Sequence, residues 1–418
     1  MNSSIFYNKY IIMILAFFSH AIINIGGEVS PSFLFILATM PFWVRKISFK
    51  DKNVATFTKL FSVLLLVQIV WIPFAKTEFI LQLKAVLITV SGLIYFWFYY
   101  FVYSHNKSVI KWGLLASFIS TFFFTNVLAE MLGGEYGFWK FQIYPRITTV
   151  VVLFYIWFID NHKVMKYSPI LFMLVSLLGF ATGCRSNALY HFIPGAICFF
   201  IYRFNKKLNL KRIKGALLCG CVFLYLMYVA FYVPNILNGN ITEGNSEQLL
   251  RSENPYNPLN LLMIGREDAI TPFIAFLDKP ITGWGWATPD PNYKYHWLNA
   301  QFQSVDIKDD LFFTNDVIPG HSIWGAFSCG YGMVAFIVFF LLIKYLTTKF
   351  FHSLVYKDKY LLYRAYIYVV IMWTVLFAPP GFLKTLPASI ALLLVLADTA
   401  KYELYNINLS RSKSEKYV

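Results

Sequence analysis

Two arginines and a histidine, spread between residues 185 and 321, have side chains suited to act on an anionic substrate. Arg185 lies in the turn Thr-Gly-Cys-Arg-Ser at 182–186, Arg266 begins the sequence Arg-Glu-Asp at 266–268, and His321 lies in Gly-His-Ser-Ile-Trp at 320–324. A guanidinium offers a fork of donors that matches phosphate oxygens. An imidazole can take a proton from a hydroxyl near neutral pH. The arginines are therefore candidates for anion binding, and the histidine is a candidate general base.

Each of the three also has a structural interpretation. Arg185 can anchor its turn at the membrane surface by snorkelling, Arg266 can pair locally with Glu267 or Asp268, and His321 can cap the next helix or bond to a carbonyl. An arginine beside two apolar segments is costly, and such residues usually face a polar cavity or a partner. An interfacial position at the depth of lipid phosphates favours the functional interpretation of Arg266.

Four further residues are candidates for binding a substrate. Arg146 stands at the start of an apolar segment, where it can also act as an anchor, and Asn187 follows the turn at 182–186. Trp284 and Trp286 are separated by one glycine and could stack on sugar rings. An interfacial aromatic belt is the alternative for both tryptophans.

Several familiar sites have no counterpart in the sequence. The seven histidines are scattered without metal-ligand spacing, so we predict no metal and no cofactor. A P-loop, a GxSxG elbow and a D-x-D motif are also absent, which argues against a sugar-nucleotide donor bound through a divalent cation. The cysteines are interpreted as small core residues rather than as a disulfide framework: Cys184, Cys198, Cys219, Cys221 and Cys329.

The composition indicates that membrane-embedded helices position these residues. The chain has 418 residues, of which 58% are hydrophobic and 14% charged, too apolar for a soluble domain. We therefore predict an all-α polytopic membrane protein. Its net charge of +15 is explained by where the basic residues fall, so nucleic acid is not expected as a partner.

About twelve apolar segments are long enough, or nearly so, to cross a bilayer. The first, an apolar stretch without a following cleavage site, is interpreted as a retained span rather than a signal peptide. The segments lie at 8–26, 30–44, 57–75, 82–103, 110–130, 146–160, 167–183, 186–202, 214–233, 319–345, 361–378 and 381–399.

The basic residues predict the orientation. About 25 of the 36 lysines and arginines fall in alternate connections and the tail, at 45–59, 107–111, 163–166, 203–214, 344–364 and 401–416, and at Lys9. By the positive-inside rule this side is cytoplasmic, so both termini are inside. The chain then divides into an N-terminal bundle (1–233), an external loop (234–318) and a C-terminal bundle with a cytoplasmic tail (319–418).

The external loop begins with an Asn-, Gly- and Ser-rich stretch at 237–248 that is expected to be mobile. Residues 259–277 then carry apolar side chains at helical spacing, which predicts one helix lying along the membrane interface. We find no internal repeat and no inverted pair of Gly- or Pro-broken helices of the kind typical of transporters.

Three motifs together resemble the O-antigen polymerase and O-antigen ligase superfamily of bacterial envelopes. Residues 182–186 are similar to the family's short T-G-S-R turn, with Cys184 where serine is more usual. Arg266 followed by Pro-Ile-Thr-Gly-Trp-Gly at 280–285 resembles its loop pattern of an arginine, a proline and a G-x-G. His321, followed by Gly330 and Gly332, resembles its histidine-led span, although here the glycines are closer together.

The resemblance implies an inner-membrane glycosyltransferase of the GT-C-like type, whose donor is an oligosaccharide on undecaprenyl diphosphate. Arg185 and Arg266 would hold the diphosphate and stabilise the charge that grows on it. His321 would activate the acceptor hydroxyl as a base or by orienting it. The bilayer is the second implied partner, and a protein that regulates chain length is a third that the family leaves open.

The residues do not separate a polymerase, whose acceptor is another lipid-linked repeat unit, from a ligase, whose acceptor is the lipid A core. Composition resembling variable polysaccharide clusters favours a polymerase. A flippase or transporter of lipid-linked oligosaccharide should show ionisable residues near mid-bilayer and broken helices there. A sensor with a ligand-binding loop would leave Arg185 unexplained.

Overall fold

The computed structural model describes residues 3–24, 28–75, 77–124, 138–203, 228–239, 254–303 and 316–414, with isolated positions at 215–226 and 249–252. In these ranges the regular structure is helical apart from one antiparallel pair of two-residue strands, β1 (Ile23–Asn24) and β2 (Glu28–Val29). The helices are α1 (Lys9–Phe18), α2 (Pro31–Ala38), α3 (Met40–Trp43), α4 (Lys52–Trp71), α5 (Phe79–His105), α6 (Val109–Ser120), α7 (Tyr144–Trp157), α8 (His162–Ala181), α9 (Arg185–Arg203), α10 (Val233–Leu237), α11 (Pro258–Gly265), α12 (Glu267–Asp278), α13 (Lys294–Gln303), α14 (Ile323–Ser353), α15 (Leu361–Phe377) and α16 (Leu386–Ser414).

Four helical segments in the described residues are long and apolar enough to cross a membrane. They are Lys52–Phe74, Phe79–His105, His162–Ala181 and Ile323–Ser353, and they correspond to the predicted spans at 57–75, 82–103, 167–183 and 319–345. The prediction of an all-α fold is thus confirmed, and four of the about twelve predicted spans coincide with a helix long enough to cross a bilayer. Shorter apolar helices lie at other predicted spans, among them Val109–Ser120 and Leu361–Phe377. Much of the predicted span at 214–233 lies outside the described residues.

The helices pack into a bundle around α14. This helix contacts α4, α15 and α16, while α5 packs against α16 and α9 packs against both α8 and α15. Side chains from α4, α5, α14, α15 and α16 form one continuous apolar core. Three described cysteines are buried and unpaired, which confirms their interpretation as core residues: Cys184, Cys198 and Cys329.

Helix α14 is sharply bent at Gly332. Trp324 Nε1 donates a hydrogen bond of 3.2 Å to the carbonyl oxygen of Phe336, although twelve residues of straight helix would separate the two positions by about 18 Å. Gly332 has φ 68° and ψ −154°, a conformation open to glycine and strained for other residues. Residues 323–331 (the first leg) therefore fold back toward residues 333–353 (the second leg). The span predicted at 319–345 is present, and the prediction did not include its break at Gly332.

The loop at 280–285 fills the bend. A broken helix leaves backbone groups without intrahelical partners, and apolar surroundings make such groups costly. The loop supplies the missing partners, and its approach depends on Gly283 (φ 72°), where a Cβ atom would lie 2.6 Å from the Gly330 backbone. Backbone N–H groups donate from Trp284 to Cys329 (2.7 Å), from Gly285 to Gly330 (2.9 Å) and from Met333 to Pro280 (2.7 Å).

Residues 254–303 and 316–322 form a compact unit at one end of the bundle, which we call the lobe. The single interface helix predicted at 259–277 is wrong in detail, because the chain leaves helical geometry at Arg266 (φ −147°, ψ 28°) and forms α11 and α12 instead. In the lobe, Asp278 accepts hydrogen bonds from Lys294 Nζ and Tyr295 Oη, both at 2.5 Å. Most of the loop predicted to be mobile, 240–248, lies outside the described residues.

Several of the basic residues used to predict orientation lie at the bundle end opposite the lobe. Lys349 pairs with Asp398 at 2.9 Å, and Lys359 pairs with Asp160 at 2.7 Å. Arg364, which was counted with the loops, is instead fully buried and pairs with a neighbouring carboxylate at 2.5 Å. Lys349 and Lys359 are thus separated from the lobe along the bundle axis.

Candidate functional site

Arg266 joins the lobe to the bundle. Its backbone marks the junction of α11 and α12, and its Nη2 donates a hydrogen bond of 2.5 Å to Ser186 Oγ in the first turn of α9. The guanidinium also lies over the rings of Trp373 and Phe377, 5.1 Å and 5.8 Å from their centroids. Aromatic faces attract cations. The end of α15 therefore holds this arginine beside Arg185.

Lys140, Arg185 and Arg266 form a group that we call the cationic cluster. Burial lowers the pKa of Arg266, Tyr190 and Glu267 act in the opposite direction, and the charge of Arg185 lowers it further. Burial also lowers the pKa of Lys140; Cys184 opposes this, and both arginines add to it. Like charges that destabilise one another in a half-buried place favour an anionic ligand, which would relieve the repulsion.

His321 is fixed to the first turn of α12 by an unusual backbone bond. In a regular helix the carbonyl of Asp268 would accept from the N–H of residue 272, but that residue is Pro272, which has none. The N–H of His321 takes this place at 2.8 Å. Pro272 also packs on Gly325 in the first leg, where a Cβ atom would lie 2.8 Å from its ring.

The side chain of His321 faces the same aspartate. Its Nδ1 lies 3.5 Å from Asp268 Oδ2, while Asn299 Nδ2 donates to Asp268 Oδ1 at 2.6 Å. The imidazole is more than half exposed (58%). Ser322 rather than His321 caps α14, since its Oγ accepts from the N–H of Gly325 at 2.9 Å. Helix capping by the imidazole, the structural alternative for His321, is therefore not observed.

A cavity of about 600 Å³ opens beside His321. Its walls are mainly apolar, with polar groups from Asp268, His296 and Asn299. Trp286 is among the lining residues, and its ring also packs on Phe327 and Tyr331 of the apolar core. The described lining residues include neither Arg185 nor Arg266. The cationic cluster and the cavity thus lie beside the same first turn of α12 without coinciding.

Trp284 and Asn187, two of the predicted substrate-binding residues, lie in different parts of the molecule, the lobe and α9. Trp284 is packed within the lobe, with its Nε1 bonded to the Ala275 carbonyl at 2.7 Å and Lys279 Nζ 3.7 Å above its ring. Its role as a sugar platform stays a prediction that these contacts do not support. Asn187 is half-buried one helical position after Ser186, and its carbonyl accepts from His191.

Arg146 is engaged away from the residues just described. Its Nη2 donates to the Thr121 carbonyl at 2.7 Å, and its guanidinium lies 4.5 Å from the centroid of the Phe122 ring. These contacts tie α7 to the end of α6 and match the anchoring alternative. Binding of a substrate by Arg146 stays a prediction.

Sequence reasoning missed four residues of the site: Lys140, Ser186, Asp268 and Asn299. Ser186 and Asp268 stood inside the motifs already singled out, but Asp268 was considered only as a partner for Arg266. Pro272 was the available signal, because a proline inside a helix releases the carbonyl four residues earlier. Lys140 and Asn299 carried no such signal.

The described residues contain no group of three or more His, Cys, Asp or Glu side chains that could hold a metal ion. The chain matches no protein-family model, no curated protein and no solved structure. The chemistry of the site combines clustered cations, an imidazole 3.5 Å from a carboxylate, and a mainly apolar cavity.

Proposed function

We propose that the chain is a glycosyltransferase of the membrane that uses an oligosaccharide on a polyprenyl diphosphate as donor and another lipid-linked repeat unit as acceptor. One observation carries the proposal. Arg266 contacts Ser186 in the first turn of α9, beside Arg185. Two residues after Arg266, the carbonyl of Asp268 in α12 accepts a hydrogen bond from the N–H of His321. The residues proposed to bind the anion and to accept the proton thus lie on adjoining segments, although they are distant in the sequence.

In the proposed reaction the cationic cluster binds the diphosphate. The acceptor oxygen attacks the anomeric carbon, and the bond from that carbon to the phosphate oxygen breaks. The diphosphate leaves with the bonding electrons, and the positive charges stabilise it. His321 receives the proton of the acceptor hydroxyl. These steps require that the donor sugar reach from the cluster toward His321.

The acceptor is proposed to enter the cavity beside His321. Trp286, one of the lining residues, is proposed to offer a ring on which a sugar can stack. The mainly apolar walls are suited to the hydrophobic faces of sugar rings. The separation of cavity and cationic cluster agrees with two substrates that meet at one imidazole.

The proposal includes the finer topology. We propose about twelve spans in a GT-C-like arrangement in a bacterial inner membrane, with both termini in the cytoplasm and the lobe outside. The position of Lys349 and Lys359 at the end opposite the lobe supports this orientation. The helices shorter than a bilayer would then act as partial or tilted spans.

The test is elongation of a lipid diphosphate-linked oligosaccharide by purified protein in vesicles. Arg185→Ala, Arg266→Ala and His321→Ala should each lower the rate about 10²–10³-fold with normal membrane insertion. Arg45→Ala, at an exposed arginine outside the site, is the matched control and should keep most activity. Normal chain-length ladders from any of the three variants would remove that residue from the mechanism.

Two outcomes would replace the polymerase by another function. Transfer to lipid A core without elongation of free repeat units would identify a ligase. Movement of the lipid-linked substrate across vesicles without any new glycosidic bond would identify a flippase.

A further inference from the structure

We propose that Asp268 is a positioning residue, which holds His321 with its proton on Nδ1 and leaves Nε2 free to accept the proton of the acceptor. The catalytic consequence rests on the proposed function. The structural part, namely which nitrogen carries the proton and which way the ring faces, does not.

The backbone already restricts the histidine. Pro272 frees the carbonyl of Asp268, and the N–H of His321 bonds to it at 2.8 Å. On the next residue, the side chain of Ser322 caps the first leg and lies 3.4 Å from the Val375 carbonyl. The backbone of His321 is therefore fixed by its own N–H bond and by the cap at the next residue, independently of its side chain.

The carboxylate of Asp268 is itself held by a buried neighbour. Asn299 is 5% exposed and donates through Nδ2 to Asp268 Oδ1 at 2.6 Å. The hydroxyl of Thr271, fully buried one turn along α12, donates to Asn299 Oδ1 and so orients the amide. With Oδ1 occupied, Oδ2 faces His321 Nδ1 at 3.5 Å.

A neutral imidazole whose Nδ1–H donates a hydrogen bond to a carboxylate has its other nitrogen available as an acceptor. A carboxylate in this place also stabilises the imidazolium that forms when the proton arrives. The distance of 3.5 Å is longer than an ideal hydrogen bond, and such contacts often tighten when a substrate binds.

The two acids of the first turn have separate tasks. Successive helical residues point about 100° apart. Glu267 is 9% exposed and favours the charged state of Arg266, whose pKa it raises against the effect of burial. Asp268 turns instead toward His321. One helical turn thus presents a carboxylate to each half of the site.

The second histidine of the cavity is held differently. His296 Nδ1 lies 2.7 Å from Asp290 Oδ2, and the same carboxylate accepts from the backbone N–H groups of Tyr295 and His296. Asp290 therefore closes the start of α13. Because His296 is nearly buried (9% exposed side chain), His321 is the more accessible of the two imidazoles.

The first measurement is the ¹⁵N spectrum of histidine-labelled protein, at about pH 9, well above the ordinary imidazole pKa of about 6.5. The His321 signals are assigned by their loss in His321→Gln. In the natural protein we expect a protonated Nδ1 and a bare Nε2. Asp268→Asn can present either an oxygen or an NH₂ group to the ring and should give a mixture of the two tautomers. Asp160→Asn, an exposed ion-paired aspartate at the opposite end of the bundle, should leave the His321 signals unchanged.

The second measurement is glycosyl transfer. Asp268→Asn should lower kcat about 10²-fold and change the KM for the lipid-linked donor little, since the cationic cluster is intact. Pro272→Ala restores an N–H that competes for the Asp268 carbonyl, and because alanine favours helix the fold should be kept. This variant should show a smaller loss of kcat and a partial change of tautomer.

The outcomes separate the two proposals. An unchanged tautomer in Asp268→Asn, or a proton on Nε2 in the natural protein, overturns the positioning role even if transfer is observed. The expected tautomers in a protein that transfers no sugar would support the positioning of His321 and overturn the proposed function.

Discussion

Arg266 donates a hydrogen bond to Ser186, a residue 80 positions earlier in the chain. Arg266 lies in the lobe, whereas Ser186 lies in the first turn of α9, next to Arg185. A hydrogen bond to a charged group is stronger than one between neutral groups. The contact thus fixes two segments that each carry one arginine of the cationic cluster, and it determines how far apart their charges stand.

Removal of the Ser186 hydroxyl should therefore weaken donor binding. A hydrogen bond to a charged group contributes about 1.5–3 kcal/mol, so Ser186→Ala should raise the KM for a polyprenyl diphosphate-linked donor by about 10- to 150-fold. We expect a smaller effect on kcat, because both guanidinium groups remain. Ser168→Ala, which removes a hydroxyl bonded to the Val164 carbonyl elsewhere in the bundle, is the control. Equal KM values for the two variants would contradict the prediction.

Gly332 should be intolerant of any side chain. A Cβ atom there would overlap the carbonyl of Ile281, and the residue has φ 68°. This combination of φ and ψ is essentially restricted to glycine and costs another residue about 1–3 kcal/mol, and a backbone clash adds to it. We expect Gly332→Ala to lower the Tm in detergent and the yield of folded protein. Gly381→Ala, at a site with open space around it, should behave like the natural protein.

The lobe should lose stability in acid. Hydrogen bonds from Lys294 and then Tyr295 lower the pKa of Asp278 below its ordinary value of 3.8. A lowered folded-state pKa means that this contribution is present above about pH 4 and is lost as the pH falls through the folded-state value. Limited proteolysis of the lobe should therefore accelerate below pH 4.

Asp278→Asn tests this acid dependence. The variant should be cleaved faster than the natural protein at pH 7, and the two should converge as the pH falls through the folded-state pKa of Asp278. Asp160→Asn, at the opposite end of the bundle, should follow the natural protein throughout. Parallel curves for Asp278→Asn and the natural protein across the whole range would show that the contacts of Asp278 do not stabilise the lobe.

Part of the fold could be predicted because lipid imposes simple rules on composition. In lipid, a long apolar run such as Phe79–His105 can satisfy its backbone hydrogen bonds within the segment only as a helix. The bend at Gly332 could not be predicted in the same way, because periodicity describes one helix at a time. The bend exists through tertiary hydrogen bonds from a loop about fifty residues earlier in the chain, and no local pattern encodes that pairing.

The candidate site likewise contains residues that the sequence could predict and residues that it could not. Arg185, Arg266 and His321 were found from residue type and position at segment ends, and the structure brings their segments together. Their roles remain predictions. Asp268 was missed because an Arg-Glu-Asp sequence suggests a local ion pair, whereas the missing N–H of Pro272 redirects the aspartate's backbone to His321.

The backbone bonds between the loop at 280–285 and the bend of α14 also have a mechanical consequence. The second leg runs from that junction for 21 residues, about 30 Å, and near its far end Lys349 is paired with Asp398. Because three backbone hydrogen bonds join the loop to the bend, a tilt of the lobe should move the second leg with it. The Lys349–Asp398 pair near the far end of that leg should then respond to a displacement of the lobe.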